Sequence, residues 1–283
     1  MKVLGVVLLL AVAVYGAPPK SLQQALLQKR APPIVDVETR IIAGEPVKTT
    51  LAPYIVSLSI SSVAYAHMCA GTILNKEWVL TAAHCVHDLQ NLNGDVVGLP
   101  IYAGIHDRSE LEKAQVRYID FAFSHKQFSG EEGSDDIALL HVSQPFSFDA
   151  SVRSIALPYP NENFAGEWST TYGWGLNSTE AVSYEKELQV ARAEVLDATH
   201  CSDALPSDAP VAQKEICVRV AACFGDGGSP LVVERGGGTV ELIGITSWGY
   251  LPCGYNGRPT VYTGVSPYVD WIAEVQWAYS ILH

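Results

Sequence analysis

The chain has 283 residues, with 18 basic and 30 acidic side chains, a formal net charge of −12 and 48% hydrophobic residues. This length suits one large domain or two packed halves, and the hydrophobic fraction excludes disorder throughout. Net acidity without a basic run argues against nucleic acid or an anionic membrane surface as the main partner. The sequence lacks a C-x-x-C pair, a glycine-rich phosphate loop, a dinucleotide fingerprint and a His-Glu-x-x-His pair, so zinc-ribbon and thioredoxin chemistry are not expected.

The first residues predict a secretory signal peptide. Lys2 precedes an uncharged apolar run from Val3 to Tyr15, and Gly16 offers a small residue for cleavage. A transmembrane anchor is the alternative, but the run is shorter than the ~20 apolar residues that span a bilayer. We therefore predict a signal peptide at residues 1–16 and an extracellular protein. Secretion makes disulfide bonds the expected state of the six cysteines.

Residues 17–40 are predicted to form a propeptide. They contain four prolines and the basic pair Lys29-Arg30 but no cysteine, and they end at Arg40, directly before Ile41. A trypsin-like convertase cuts after such a basic residue. Removal of residues 1–40 takes away five basic and two acidic side chains, which leaves an acidic chain of 243 residues.

The rest of the chain has the pattern of an all-β protein. Apolar and polar residues alternate from Tyr54 to Ile60 and, in part, from Leu188 to Leu196. Residues 230–245 predict a hairpin that turns at 236–238. Only the end predicts a helix, with Ser266 as N-cap, Pro267 in the first turn and an apolar face that follows. Many short strands and one terminal helix favour two small antiparallel barrels.

Three segments carry residues that suit nucleophilic catalysis. Thr81-Ala82-Ala83-His84-Cys85 follows an apolar strand, Asp135-Asp136-Ile137-Ala138-Leu139-Leu140 comes about fifty residues later, and residues 223–230 are followed by Ser247-Trp248-Gly249. In this order and at these separations the chain resembles the chymotrypsin/trypsin family of secreted serine proteases, from residue 41 to about 280. The resemblance implies two antiparallel six-stranded β-barrels, roughly residues 41–150 and 151–265, and a C-terminal α-helix.

The resemblance assigns two members of a catalytic triad. Serine is a weak nucleophile at neutral pH, so it needs an imidazole as general base and a buried carboxylate that orients the imidazole. His84 matches the base and Asp136 the orienting carboxylate. Asp135 matches no catalytic position in the family, and we expect it to be a solvated neighbour.

The nucleophile position departs from the family pattern. The family has Gly-Asp-Ser-Gly-Gly-Pro, whereas this chain has Gly225-Asp226-Gly227-Gly228-Ser229-Pro230, so Gly227 stands where the nucleophile is expected. Ser229 is the alternative nucleophile. A shift of two residues moves the Cα atom by several ångströms, whereas general-base catalysis needs heavy-atom contact at about 2.6–3.2 Å. We therefore do not expect Ser229 to substitute.

The machinery of activation matches the family. Cleavage between Arg40 and Ile41 would give the Ile41 ammonium group, and Asp226 matches the carboxylate that receives it. Because a buried carboxylate needs a charged partner, this pair would order the loop at 223–230. The backbone N–H groups of Gly225 and Gly227 would form the oxyanion hole, which depends on no side chain.

The resemblance also implies a neutral specificity pocket. Ala221 stands where trypsins have aspartate, so no acid would hold Arg or Lys. Ser247 and Gly249 match pocket residues, and Thr260 replaces a usual glycine and would shorten the pocket. Such a pocket suits Ala, Val or Leu.

The resemblance implies the disulfides Cys69–Cys85, Cys201–Cys217 and Cys223–Cys253, out of the 15 pairings that six cysteines allow. Asn177-Ser178-Thr179 is a glycosylation sequon beyond Trp174-Gly175, in a loop that we expect to be exposed. No carboxylate cluster matches a calcium loop, and we expect no metal, no cofactor and a monomer.

Three hypotheses follow. The first is a non-catalytic serine protease homologue that binds peptides, protease inhibitors, a protease or, as described for some fly gut members of the family, a glycan. The second is an active endopeptidase of elastase-like preference, which acts through Ser229 or has serine at 227 because Gly227 is a sequence error or a rare allele. The third is a folded remnant without function.

Overall fold

The computed structural model describes residues 45–47, 51–61, 65–130 and 134–283. The predicted signal peptide at 1–16, the propeptide at 17–40 and the Arg40–Ile41 bond lie outside these residues. No helix in the described ranges is long and apolar enough to cross a membrane.

Thirteen β-strands form the framework of the described fold. They are β1 (Glu45–Pro46), β2 (Ile55–Ser59), β3 (His67–Ile73), β4 (Trp78–Thr81), β5 (Pro100–Ala103), β6 (Gln115–Ser124), β7 (Ala138–Val142), β8 (Trp168–Gly173), β9 (Gln189–Leu196), β10 (Glu215–Val218), β11 (Pro230–Glu234), β12 (Val240–Trp248) and β13 (Thr260–Gly264).

The strands close into two antiparallel barrels of six strands each, which confirms the predicted fold. The first barrel has the order β2-β3-β4-β7-β6-β5. The second has the order β9-β10-β13-β12-β11-β8 and is closed by pairing of β8 with β9, while the short β1 pairs with the first two residues of β9. The predicted hairpin is present as β11 and β12, joined by a turn at Gly236–Gly238. Closure of both sheets pairs the edges that an open sheet would expose.

Each barrel has an apolar core, and a third core joins the barrels to the last helix. Val56, Ile101 and Leu140 are fully buried in the first barrel, and Leu231 and Ile243 are fully buried in the second. The joining cluster contains side chains from both barrels and from the last helix, among them Leu139, Trp174, Tyr268 and Ile272. Full burial of one such side chain stabilises a fold by about 1.5–3 kcal/mol. This shared core holds the two barrels against each other.

Three α-helices lie among the described residues: α1 (Ala83–Asn93), α2 (Ala198–Ala204) and α3 (Val269–Leu282). Only α3 was predicted. The expectation that Ser266 caps it is wrong, because Ser266 lies in a 3-10 turn at Ser266–Tyr268 and its hydroxyl donates to the carbonyl of Glu162. The start of α2 does have a sequence signal, an aspartate at the N-cap, because the Asp197 side chain accepts a hydrogen bond from the backbone N–H of His200.

Three disulfides fix loops around the barrels. The bonded pairs are Cys69–Cys85, Cys201–Cys217 and Cys223–Cys253, the pairs that the family resemblance implies. The first joins β3 to α1, and the third joins the 223–230 loop to the loop after β12.

Candidate active site

His84 and Asp136 meet because two neighbouring strands bring them together. His84 lies at the start of α1, just after β4, and Asp136 lies just before β7; β4 and β7 are paired through Thr81 and Ala138. His84 Nδ1 lies 2.7 Å from Asp136 Oδ2, and the backbone N–H of His84 donates to Asp136 Oδ1 at 2.8 Å. The Ser247 hydroxyl donates to Oδ2 at 2.6 Å. Three donors therefore fix the carboxylate and, through it, the imidazole plane.

Burial and charge act in opposite directions on this pair. Burial alone would lower the pKa of His84, but the Asp136 carboxylate outweighs it and raises that pKa above its ordinary value. Burial alone would raise the pKa of Asp136, but the His84 charge and the hydrogen bonds hold it below its ordinary value. Asp136 is therefore the ionised partner, as a general base of this type requires.

Gly227 faces the other side of the imidazole. A Cβ atom placed on Gly227 would lie 2.5 Å from His84 Nε2 and 3.2 Å from Cys85 Sγ. The carbonyl of Gly227 accepts a hydrogen bond from Ala70 N at 2.8 Å, which ties this loop to β3. The described site therefore has an imidazole bound to a carboxylate on one side, and it has the backbone of Gly227 on the other.

Ser229 points away from the cleft. Its side chain is fully buried, and its Oγ atom has no hydrogen-bond partner among the described residues. Oγ lies 3.2 Å from the point that a Cβ atom on Gly173 would occupy, in the same region as the Asp226 carboxylate. Ser229 is also absent from the residues that line the cleft. The residue between, Gly228, has φ +75° and a Cβ there would collide with the Ala70 carbonyl, so this position requires glycine.

The 225–227 loop presents two free backbone donors. In the described part of the chain, neither the N–H group of Gly225 nor that of Gly227 makes a hydrogen bond. His67 holds the loop from behind, since its Nε2 lies 2.9 Å from the Gly225 carbonyl and its Nδ1 lies 2.7 Å from Ser57 Oγ. Burial and the charge of Arg108 lower the pKa of His67 to about 3, so the ring is neutral and can donate from Nε2.

Asp226 is a fully buried carboxylate without a basic partner among the described residues. It accepts hydrogen bonds from the backbone N–H groups of Cys223 (2.9 Å) and Gly175 (2.8 Å). Burial raises its pKa to about 7 despite these two bonds. The side chain packs so closely against Gly173 and Gly175 that neither position has room for a Cβ atom. The environment favours a cation next to Asp226 whenever the carboxylate is ionised.

The cleft beside His84 has a volume of about 440 Å³. Gly225, Gly227, Ser247, Gly249 and Thr260 line it. Thr260 Oγ1 donates to the Val220 carbonyl at 2.8 Å and accepts from Ala222 N at 3.0 Å, so its hydroxyl is used within the protein.

Ala221 does not line this cleft. It is buried against Gly254, and its neighbours Ala222 and Cys223 form the wall instead. The acidic side chains along the cleft are Asp88 and Asp136, and Asp136 is already bound to His84.

The sequence analysis did not find the apolar rim of the cleft. This rim comes from five separated segments, and its members are Met68, Phe128, Tyr184, Phe224, Trp248, Tyr250 and Leu251. Phe224 and Leu251 are 51% and 56% exposed, which is unusual for large apolar side chains. The motif around Trp248 and the loop that holds Phe224 were both identified, but neither side chain was assigned to the cleft.

Asp135 is not the solvated neighbour that the sequence analysis expected. It is only 6% exposed, and its Oδ1 accepts hydrogen bonds from Lys214 Nζ at 2.8 Å and Tyr268 Oη at 2.9 Å. His125 Nδ1 lies 3.4 Å away. Burial acts to raise the pKa of Asp135, but the Lys214 and Tyr268 hydrogen bonds outweigh it and hold the pKa below its ordinary value. The carboxylate is therefore a structural link between β10 and the 3-10 turn that leads into α3.

The glycosylation sequon and one cysteine cluster also lie near the cleft. Asn177 is exposed, and Thr179 Oγ1 accepts a hydrogen bond from the backbone N–H of Cys253 at 2.7 Å.

Cys69, Cys85 and His84 lie close enough to suggest a metal site. Both sulfur atoms belong to a disulfide, so neither is a thiolate, which is the form that binds metal.

Comparison with known proteins assigns the family. The trypsin family model matches residues 41–272. The chain is 35% identical over 251 residues to Lectizyme from Glossina austeni, covering 83% of this chain and 86% of that protein. It is 31% identical to trypsin from Sus scrofa, covering 84% and 96%, and 31% identical to Trypsin II-P29 from Gallus gallus, covering 86% and 91%. With its two six-stranded barrels, the chain belongs to the trypsin family of serine proteases and their homologues.

Proposed function

We propose that this protein is a secreted binding or regulatory protein with the shape of an activated serine protease, and that it does not hydrolyse peptide bonds. The observation that carries the proposal is that His84 Nε2 faces the Cα atom of a glycine, Gly227. Acyl transfer by this family needs an oxygen nucleophile within hydrogen-bond reach of the base. Here the base has no such side chain on the loop in front of it.

Ser229 offers poor support for the alternative, an active endopeptidase with a neutral pocket. Its hydroxyl is fully buried and points toward the Asp226 region, and the side chain does not reach the cleft wall. To attack a substrate, the serine would have to leave the core and move the adjoining strand β11. The backbone carbonyl of Ser229 accepts a hydrogen bond from Thr246 N at 2.9 Å, which opposes such a movement.

The cleft retains what a ligand needs. The two free N–H groups at Gly225 and Gly227 can hold a carbonyl oxygen, and the apolar rim can cover aliphatic or aromatic side chains. The ligand that fits is an extended peptide segment, such as the exposed loop of a protease inhibitor or of another protein, with a small aliphatic side chain in the pocket. A protease is a further candidate partner, and the name of the relative Lectizyme makes a glycan another ligand to include in the test.

Secretion and activation belong to the same proposal. Homologues of the trypsin type are typically secreted, and three disulfides and the absence of a membrane-spanning helix in the described residues fit that location. We propose a signal peptide at residues 1–16, cleavage between Arg40 and Ile41, and a salt bridge from the Ile41 amine to Asp226. The isolated carboxylate of Asp226, with its pKa raised to about 7, supports the last step.

Labelling with a fluorophosphonate, which reacts with an activated serine, tests the proposal. The protein is cleaved at Arg40 with trypsin, freed of the trypsin, and labelled beside porcine trypsin and the variant Gly227→Ser. We expect no label and no hydrolysis of ester or amide substrates above the level of the variant His84→Ala. His84→Ala defines the background rate, because proteases of this type that lose a triad member still exceed the rate in water by ~10³–10⁴. Labelling or turnover that disappears in Ser229→Ala would establish the endopeptidase instead.

Binding is tested on the same preparation. Immobilised activated protein is exposed to a small canonical protease inhibitor with leucine at the residue that enters the pocket, and separately to a glycan array. Saturable inhibitor binding that is lost in Gly249→Trp supports the peptide ligand. Binding to glycans alone would assign the cleft or another surface to sugars, and no binding to either probe would favour a folded remnant.

A further inference from the structure

The indole of Trp248 forms a wall of the cleft and needs a hydrogen-bond acceptor. The side chain is at the end of β12, and only 7% of the residue is exposed. A buried indole N–H without an acceptor is costly. The acceptor is Glu215 at the start of β10, whose Oε1 lies 2.9 Å from Trp248 Nε1. A charged side chain outside the cleft therefore holds one of the walls inside it.

The second oxygen of Glu215 is also used. Oε2 accepts a hydrogen bond from the backbone N–H of Ala212. The carboxylate is thus fixed at both oxygens, and its plane is set by the chain that leads into β10. Because the indole N–H points at Oε1, the position of the carboxylate fixes the rotation of the Trp248 ring.

Glu215 borders a different cavity from the one that Trp248 lines. This second cavity has a volume of about 1040 Å³, and Glu215 is half-buried in its wall beside Lys214 and Cys217. Glu215 is absent from the residues that line the cleft. Protons can therefore reach Glu215 from the second cavity while a ligand occupies the cleft.

The charges around Glu215 are mostly acidic. Asp135 and Asp136, both before β7, act on it through space. Asp135 is paired with Lys214 and Asp136 with His84, so each has a cationic or ionisable partner of its own. Burial is the largest cause that raises the pKa of Glu215, and the charges of these two aspartates raise it further. The hydrogen bonds from Ala212 and Trp248 lower the pKa and so oppose this rise.

The other charged groups of the second cavity are engaged elsewhere. Glu162 pairs with Arg235, and Asp197 pairs with His200. The net effect of the surroundings is a pKa of Glu215 above its ordinary value. The Trp248 N–H stabilises the ionised form of Glu215, so the Glu215–Trp248 bond strengthens when Glu215 loses its proton.

We propose that Glu215 is a positioning residue of the cleft: its carboxylate fixes the Trp248 indole as a cleft wall and thereby sets the affinity for the ligand. The part that concerns affinity rests on the proposed binding function, whereas the part that concerns the indole does not. Protonation of Glu215 weakens the bond, so the wall is less well ordered in acid and the ligand binds more weakly there.

The indole part is tested without any ligand. The six indole N–H signals of ¹⁵N-tryptophan-labelled protein are recorded from pH 4 to 8, and Trp248→Phe identifies the signal of Trp248. We expect this signal to titrate with a midpoint above the ordinary glutamate value of about 4.3. Glu215→Gln keeps an acceptor oxygen but cannot ionise, so the titration should vanish. Glu274→Gln, at an exposed position on α3, is the matched control and should leave the titration unchanged. A Trp248 signal that titrates equally in Glu215→Gln would overturn the proposal.

The affinity part uses the canonical inhibitor with leucine at its pocket residue. Glu215→Met is of similar length but leaves the indole without an acceptor, and we expect Kd to rise about tenfold at pH 7. Glu215→Gln keeps a neutral acceptor, as the protonated carboxyl does, so it should raise Kd less than Glu215→Met and to the level that the unchanged protein reaches in acid. In the Trp248→Phe background, which has no indole N–H, Glu215→Met should change Kd less than twofold. Equal effects in both backgrounds would show that Glu215 acts on the fold alone. If the inhibitor binds no variant, the proposed binding function fails, and the indole titration still decides the role of Glu215.

Discussion

His84 Nε2 lies 2.5 Å from the point that a Cβ atom on Gly227 would occupy, so the imidazole stands partly in the space of the missing side chain. Real Cβ contacts do not come this close, so a serine at 227 can fit only if the ring or the 225–227 loop shifts. The ring is held in this place by the hydrogen bond between His84 Nδ1 and Asp136, and the backbone N–H of His84 binds the same carboxylate. The imidazole is thus packed against glycine at 227, and this packing supports the proposal that the protein does not hydrolyse peptide bonds.

The buried carboxylate of Asp226 predicts a pH-dependent stability of the uncleaved protein. Its pKa is raised to about 7 in the folded state from 3.8. The folded state therefore holds a proton between these values that the unfolded chain has lost, so stability falls as pH rises from about 4 to about 7. The loss amounts to about 4 kcal/mol at most. Urea unfolding of the uncleaved protein at pH 4, 5.5, 7 and 8 measures it.

Asp226→Asn should remove this pH dependence, and Asp208→Asn, at an exposed position, should leave it in place. A curve for uncleaved Asp226→Asn that still falls between pH 4 and 7 would show that another group is responsible.

Cleavage at Arg40 should reverse the direction in which the pKa of Asp226 is shifted. A new ammonium group at Ile41 would neutralise the carboxylate and lower its pKa, so the 223–230 loop should become more resistant to proteolysis at pH 7. Amino-terminal sequencing after trypsin treatment should give Ile41 as the first residue. Acetylation after cleavage blocks the new Ile41 amine and should make the loop sensitive to proteolysis again. Acetylation before cleavage leaves that amine free and serves as the control. Equal sensitivity of the loop in all three preparations would contradict the salt bridge.

The network around Asp135 predicts a large stability effect at a position outside the triad. Asp135→Ala leaves Lys214 and the Tyr268 hydroxyl without their acceptor and places alanine at φ 63°, which alanine adopts with strain. We expect a loss of about 3 kcal/mol in the free energy of unfolding, and about 1 kcal/mol for Asp135→Asn, which keeps an acceptor and tolerates this backbone. Urea unfolding measures both, with Asp208→Ala as the control. A loss below about 0.5 kcal/mol for Asp135→Ala would make Asp135 the solvated residue that its sequence context suggested.

The sequence predicts the strands and the motifs well because both depend on neighbouring residues, whereas the number of strands in each barrel followed from the family resemblance. Alternation marks the strands, and His84, Asp136 and Gly227 each lie in a short continuous motif. The partners of Asp135 lie 79 and 133 residues away, at Lys214 and Tyr268, so no local pattern reveals its burial.

The cleft rim, the Glu215–Trp248 contact and helix α1 could not be predicted from the sequence either. The cleft rim is assembled from five segments, and the Glu215–Trp248 contact joins strands that pair with β13 rather than with each other. Helix α1 lacks a start signal, because its N-cap is Ala82, which makes no side-chain cap.

Restoring the serine should restore hydrolysis. The sequence alone suggests that Ser229 must become glycine at the same time, because the turn would have no room for a side chain. The structure corrects this reason: Ser229 has no positive φ and its side chain is accommodated in the core, whereas the position that requires glycine is Gly228. We therefore expect Gly227→Ser and the double change Gly227→Ser with Ser229→Gly to gain endopeptidase activity alike, after cleavage at Arg40. Both should remain slower than porcine trypsin on its own substrates, because the His84 ring or the 225–227 loop must shift to make room for the new Cβ atom, which disturbs the geometry between base and nucleophile.

The specificity of the repaired protein follows from its pocket. Thr260 lines it with a hydroxyl that is already bonded to Val220 and Ala222, and no carboxylate replaces the aspartate of trypsins at Ala221. A buried cation without a partner is strongly disfavoured, so peptides with Arg or Lys in the pocket should be cleaved at least about a hundredfold more slowly than those with Ala or Val. Discrimination among aliphatic residues should be about tens-fold, since one methylene changes binding by only ~1–3 kcal/mol. The measurement is kcat/KM on matched Ala, Val, Phe and Arg peptides, with His84→Ala in the repaired background as the control. A repaired protein that is folded but inactive would show that more than the nucleophile is missing, and a preference for Arg would show that Asp88 or another acid serves the pocket.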